Sequence, residues 1–247
     1  MENLMKDFLQ DLVAHTHSLG FLPLVKVSVS DTETIIESMA EDRSVILNAK
    51  TKTPVDNLEG TFGMPNLNKL DIHLKCPEYK EGASIGVVTQ QRNGEDVPTG
   101  LHFQNNTGDF QNDYRFMNQD IINEKLKTVK FKGAKWDIEF NPTNSSIQKL
   151  KFQATAHTEE PTFQVTTDGN DLVFSFGDAS THAGSFTFHS GITGKLKQTW
   201  SWPVAAVQSI LNLTGDKTMR IADAGALQIT VDSGIAEYEY ILPAQSK

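Results

Sequence analysis

The sequence predicts an α+β chain of two similar halves, each with two helices packed on antiparallel sheets. Three observations predict it. Short strand-like runs bounded by turn residues recur along the whole chain. Four other segments carry apolar residues at helical spacing. The halves also run in step: the turns at Asp31 and Asp168 lie 137 residues apart, and the helix-opening prolines Pro65 and Pro203 lie 138 apart. The 247 residues suit two domains of ordinary size, at roughly 100–200 residues each. Side-chain identity between the halves is low, so the repeat is one of architecture.

The first helix spans residues 3–17, where Leu4, Met5, Phe8, Leu9, Leu12 and Val13 share one face. Gly20 and Pro23 stop it. Strands follow at 24–29, 34–39 and 44–49, the first two joined by the turn Asp31-Thr32-Glu33. Residues 64–75 read as a second helix with Pro65 in its first turn and Pro77 just past its end. Residues 84–90 and 99–104 flank Arg92-Asn93-Gly94, a hairpin signal, and 110–117 is a further strand. In the second half, 136–140 is a strand. Asn141-Pro142-Thr143-Asn144 caps a helix carrying Ile147, Leu150 and Ala154. Strands at 163–166 and 172–176 enclose the turn Asp168-Gly169, and 186–189 and 196–201 follow. Pro203 opens a fourth helix with Val204, Val207, Ile210 and Leu211 on one face, and Gly215 ends it. Strands at 218–222, 226–231 and 236–242 close the chain. The domains are thus 1–117 and 136–247. The lysine-rich stretch 118–135 is a connector with partial strand character, and its composition suits a solvated linker as well as a binding segment.

Composition excludes several functions. A net charge of −9 disfavours a basic nucleic-acid binder, although a small basic surface can sit inside that sum. Cys76 is the only cysteine, so there is no internal disulfide and no cysteine metal cluster. No run approaches a membrane span. Asp7 and Asp11 break the apolar character a signal peptide needs, which leaves a cytoplasmic protein as the expectation. A phosphate loop, a GxSxG elbow and an HExxH pair are all missing. His15 and His17 point about 200° apart on a helix and cannot share a metal. His73, His102, His157, His182 and His189 have no ligand-spaced partner, and Cys76 reads as a packed thiol. The expectation is a protein that is not an enzyme and uses no cofactor or metal. The sequons at Asn105, Asn144 and Asn212 carry no meaning without secretion.

The helices are more informative. Asn66, Asn68, Lys69, His73 and Lys75 fall outside the Leu67/Leu70/Leu74 face of the second helix. Gln148, Lys149, Lys151 and Gln153 do so in the third, and Gln208, Ser209 and Asn212 in the fourth. Asp71 is the only acid on these faces. Such faces suit plain solvation, or a neutral-to-basic surface that meets phosphate without reading sequence. Asn66, Lys69, Lys75, Gln148, Lys149 and Lys151 are the candidate contacts.

Two stretches then resemble a known family. Met219 to Gly234 with Tyr238 to Ala244 is similar to the final hairpin and closing strand of the DNA sliding clamps. Glu37 to Leu47 is similar to their early hairpin. With two domains per chain, the sequence looks more like the trimeric clamps of T4-type bacteriophages, and of the eukaryotic and archaeal proliferating-cell nuclear antigen family, than the three-domain bacterial clamp. The connector and first helix lack the closer cellular pattern, which points to the phage type and a host-cell cytoplasm. The resemblance implies a DNA-clamp fold and a homotrimeric ring around duplex DNA. It also implies tethering of a replicative polymerase through a C-terminal peptide, and opening by a clamp loader. The implied partner pocket comprises Met39, Val45, Leu126, Val129, Ile241, Leu242, Pro243 and Ala244. Subunits would pair through the strands holding Phe110, Tyr114 and Phe116 in one chain and Leu172, Phe174 and Phe176 in the next. Asp7 and Asp11 lie in a helix the family would place on the DNA-facing wall, and their rotation decides whether they face it. The rival reading is a β-rich ligand-binding or virion structural protein, with Phe103, Phe110, Phe174, Phe176, Trp200 and Trp202 lining a cavity or interface.

Overall fold

The computed structural model describes residues 2–80, 82–92, 94–127, 131, 133–178, 180 and 182–245. Asn93 of the expected hairpin turn and Val129 of the expected pocket lie outside them. The chain divides into two compact units. The first holds Met1–Val129 and Ser233–Tyr238, the second Lys130–Asp232 and Glu239–Lys247.

In the first unit, α1 (Glu2–His15) ends in a short 3-10 turn that Gly20 closes in the left-handed region. Strands β1 (Val25–Val29), β2 (Thr34–Met39), β3 (Ile46–Thr51) and β4 (Gly60–Met64) form an antiparallel array in the order β4-β1-β2-β3. Alternate residues of β1 and β2 are buried, as a strand with one covered face requires. After α2 (Leu67–Lys75), the strands β5 (Ser84–Arg92), β6 (Glu95–Gln104) and β7 (Gln111–Arg115) form a second sheet in that order. Helix α1 packs on α2 and on β5. Phe8, Leu9, Leu12 and Val13 of α1 and Leu67, Leu70 and Leu74 of α2 are buried.

Two features of this unit differ from the sequence reading. Met64 ends β4 instead of opening α2, because it pairs with Val25. Asn66 then adopts φ 52°, so the helix begins at Leu67 and Pro65 stands before it. The connector carries a helix, α3 (Gln119–Lys125), capped by the Asn118 side chain accepting from the Ile121 N–H at 2.9 Å. Ile122 of α3 presses on β4. A Cβ on Gly63 would lie 2.8 Å from Ile122 Cδ1, so β4 needs glycine there.

The second unit repeats the plan. Strand β8 (Ile138–Phe140) precedes α4 (Asn144–Ala156), whose N-cap Thr143 accepts from the Ser146 N–H at 3.1 Å. Strands β9 (Thr162–Asp168), β10 (Asp171–Phe176), β11 (Gly184–Ser190) and β12 (Trp200–Pro203) form a sheet in the order β11-β10-β9-β12. This is the order of β4-β1-β2-β3 with each strand replaced by its counterpart. After α5 (Val204–Leu211) come β13 (Asp216–Ala222), β14 (Ala226–Asp232) and β15 (Ala236–Pro243). Strand β13 lies between β8 and β14. Helix α4 packs on α5 and on β11. The strand expected at 196–201 starts only at Trp200. The segment before it is held irregular by side chains: the Leu196 N–H donates to Thr167 Oγ1 and the Lys197 N–H to Asp223 Oδ1.

The duplication extends to the pattern of burial. An offset of 138 carries buried Val25, Val27, Thr34, Ile36 and Ser38 onto buried Phe163, Val165, Leu172, Phe174 and Phe176. A third landmark is local. Asp42 Oδ1 accepts from the Ser44 N–H and hydroxyl, and Asp178 Oδ1 does the same for Ser180.

One buried polar cluster ties the start of the chain to its end. Asp11 is turned inward, with its side chain 10% exposed. Its Oδ2 accepts from Tyr238 Oη at 2.8 Å and from Ser233 Oγ at 2.9 Å. His15 lies 3.2 Å from Oδ1 and stacks on the Tyr238 ring at 4.3 Å. Asp7, by contrast, is exposed. Removing the shared acceptor takes a hydrogen bond from the buried Tyr238 hydroxyl and leaves the half-buried Ser233 hydroxyl with the Ala236 carbonyl, so Asp11→Ala is expected to cost about 1–3 kcal/mol. Asp7→Ala is expected to stay within about 0.5 kcal/mol. Denaturant unfolding of the two variants checks the contrast.

Candidate functional site

The candidate contacts on the helices are all at the surface. Asn66 is exposed just before α2, Lys69 and Lys75 are exposed on it, and Gln148, Lys149 and Lys151 are exposed on α4. They are not equivalent electrostatically. Lys75 Nζ is 2.6 Å from Asp71 Oδ2, a neighbour one turn earlier, so part of its charge is already answered. Helix α4 contains no acid at all. His73 sits one turn after Lys69 and tilts against Phe103 at 5.2 Å. Burial, with a smaller push from the Lys69 ammonium, holds its imidazole below the ordinary histidine range. Helix α5 is without charge.

The expected partner pocket separates into buried and exposed members. In the first unit Val45 is fully buried, Leu126 is 5% exposed and Met39 is half-buried. In the second unit Ile241 and Leu242 are buried, Pro243 is exposed and Ala244 half-buried. Leu242 is held from its backbone, since its carbonyl accepts from Trp202 Nε1 at 3.1 Å. The Ala244 N–H donates to the Gly225 carbonyl at 2.8 Å. Val45, Leu126, Ile241 and Leu242 are therefore core side chains with no open face for a ligand, which corrects their assignment as pocket walls. Met39, Pro243 and Ala244 keep accessible surface, and Lys125 and Lys127 are exposed beside Leu126.

The expected subunit edges are half corrected. Strand β7 is the outer strand of its three-stranded sheet, with β6 on one side. Phe110 before it is 40% exposed, whereas Tyr114 is buried, with its hydroxyl donated to the Pro65 carbonyl. Phe116 stacks on Phe62 at 4.2 Å. Strand β10 is not an edge, because β9 and β11 pair along both its sides. Leu172, Phe174 and Phe176 fill the core instead, in an aromatic stack where Phe174 meets Phe188 at 4.2 Å and Phe163 at 4.7 Å. The terminal strand on that side is β11. The alternation that suggested a sticky edge belongs to a strand covered on one face.

The same burial weighs against the aromatic cavity of the rival reading. Phe103, Phe174, Phe176 and Trp202 are at most 1% exposed. A cavity of about 290 Å³ in the first unit is lined instead by Leu4, Met5, Phe8, Pro54, Val55 and Ile235, with Asp7 and Asp56 beside them. Sequence reasoning also missed two exposed apolar side chains on the basic helices: Ile72, 63% exposed on α2, and Phe152, 71% exposed on α4. Their positions outside the buried face of each helix were the available signal.

No protein-family profile and no curated protein matches the sequence. Solved structures do match, over the full length. The chain is similar to A. fulgidus PCNA, solved with the C-terminal region of FEN-1 bound. The TM-score is 0.69 at 10% identity, covering 100% of this chain and 97% of that one. It is similar to PCNA from Thermococcus kodakaraensis, with a TM-score of 0.67 at 12% identity and 97% of each chain covered. It is also similar to the proliferating cellular nuclear antigen of Entamoeba histolytica. There the TM-score is 0.64 at 11% identity, over 98% of this chain and 95% of that one. The chain has the fold of these clamps.

Two outcomes follow from the geometry. Leu126→Ala and Leu242→Ala are each expected to lower stability by about 2–4 kcal/mol, whereas Pro243→Ala stays within about 0.5 kcal/mol; thermal and denaturant unfolding measure both. A histidine depressed in the fold binds its proton more tightly when unfolded. The stability His73 contributes is therefore complete above about pH 6.5 and lost as pH falls below it. Its NMR titration midpoint should lie under about 6.5 and rise in Lys69→Gln.

Proposed function

We propose that this chain is a DNA sliding clamp: a ring that encircles duplex DNA and tethers a replicative polymerase. The observation that carries the reading is the end-to-end match of a duplicated two-unit chain to PCNA structures, which covers nearly all of both partners. Function then follows from enclosure, with no bond made or broken. A closed ring needs no tight affinity for DNA, so a few lysines meeting phosphate through solvent are enough and leave it free to slide. Lys69 and Lys75 on α2, and Lys149 and Lys151 on α4, are the proposed contacts, with Asn66 and Gln148 as neutral partners. The net charge of −9, carried elsewhere on the surface, discourages DNA from the outer side.

Assembly is proposed as a homotrimer closing head to tail. The outer strands β7 and β11 are among those that end their sheets, and a heterologous contact between them would close by rotation. The partners proposed are duplex DNA, a polymerase C-terminal peptide and a clamp loader. The peptide is supported by analogy with the A. fulgidus clamp, which holds the C-terminal region of another protein. Met39 in the first unit keeps accessible surface, as do Pro243 and Ala244 in the second. A T4-type phage origin and a host-cell cytoplasm belong to the same proposal.

Native mass spectrometry is expected to find a trimer that dissociates on dilution; a folded chain that stays monomeric at micromolar concentration contradicts the ring. Replacing Lys69, Lys75, Lys149 and Lys151 together with Glu should leave the trimer intact and abolish polymerase stimulation on long templates. Survival of stimulation at moderate salt would remove α2 and α4 from the DNA-facing wall.

A further inference from the structure

Helix α4 carries a feature that phosphate contacts do not explain. Phe152 is 71% exposed, in a chain whose other large aromatic side chains are mostly buried. Its place on the helix is central. Ile147 and Leu150 are buried, so the exposed arc runs through Ser145, Gln148, Lys149, Lys151, Thr155 and Ala156, with Phe152 at its middle. Gln148 and Lys149 lie one turn before the ring and Thr155 and Ala156 one turn after it. The neighbours before it are a donor and a cation, those after it are small, and no carboxylate belongs to the helix.

We infer that Phe152 is a stacking platform for unpaired bases, so that α4 grips the single strand or frayed end at a primer–template junction. The inference rests on the proposal that α4 faces DNA. An apolar ring gains nothing from the sugar–phosphate surface of a closed duplex, whose base faces are occupied by their neighbours. Unpaired bases present a free π-face to an aromatic side chain, whatever their identity. Lys149 and Lys151, three residues and one residue before the ring, can hold the phosphates of that strand, and Gln148 can donate to a base edge or a sugar. Charge selects the occupant. A helix with two exposed lysines and no acid around one aromatic ring suits a polyanion with stackable groups. Ile72 is an internal control, because it is 63% exposed on α2 between Lys69 and Lys75 but has no π-face.

Fluorescence anisotropy of the full chain with labelled single strand, blunt duplex and primer–template junction tests this. Circular dichroism confirms folding, which a change at so exposed a site should leave intact. Phe152→Ala is expected to weaken single-strand and junction binding at least about fivefold, the lower end of one base–aromatic stack. Blunt-duplex binding should stay within about twofold, and Phe152→Tyr and Ile72→Ala should match the unmodified protein. Full single-strand affinity in Phe152→Ala overturns the inference. If Lys149→Ala with Lys151→Ala weakens duplex binding in the same series, the clamp reading survives that failure. If the lysine variant also changes nothing, the DNA-facing assignment of α4 falls with it. An equal loss on all three DNAs makes Phe152 a general contact. Loss of polymerase or loader binding at unchanged DNA affinity makes it a protein-docking side chain. Either result overturns the stacking role.

Discussion

The buried carboxylate of Asp11 is the contact on which the first unit depends. It sits among apolar side chains of α1, where an unpaired charge is costly, and it is tolerable only because Tyr238, Ser233 and His15 surround it. Two of those partners come from the far end of the chain. The hydrogen bonds therefore fix both the rotation of α1 about its axis and the path of the closing hairpin. The Lys52 N–H donates to the Ile235 carbonyl at 2.9 Å and reinforces the same join. With α1 held this way, Asp11 is withdrawn from solvent, and Asp7 is left as the exposed acid of the pair.

The duplication shows how one topology tolerates two different cores. At equivalent positions the first unit carries Thr34 and Ser38 where the second carries Leu172 and Phe176. The small polar side chains are acceptable because each is satisfied locally: Thr34 Oγ1 accepts from the Val55 N–H, and Ser38 Oγ donates to the Leu24 carbonyl. The second unit fills the same space with stacked aromatic rings. Volume and hydrogen bonding are traded position by position while strand order is kept, which accounts for a repeat of architecture with little repeat of sequence.

Much of this was legible before the structure. Periodicity located the helices, and turn residues located most strands, because both signals are local. The offset of the halves followed from two turns and two prolines. The failures share a cause. β4 was missed because Gly60 and Gly63 remove the alternation that marks a strand, and the reason for Gly63 is the distant Ile122. Helix α3 was read as linker although Asn118, Ile122 and Leu126 supply a cap and one apolar stripe. Strand β10 was taken for an edge because alternation reports a covered face and says nothing of lateral neighbours. Among the site residues, exposed lysines were identified correctly as surface, since charge predicts exposure. Leu242 and Val45 were taken for pocket walls because sequence cannot tell a core apolar residue from a lining one.

The closing strand β15 has a consequence for biosynthesis. Its first residues belong to the first unit and the rest to the second. In a multidomain protein the N-terminal domain commonly folds first while the ribosome is still at work. Here Asp11 waits for Ser233 and Tyr238, more than two hundred positions later, before its donors exist. Neither unit can be completed until β15 has been made, so the nascent chain carries unfinished surfaces up to that point. A product truncated before β15 would lack part of both units.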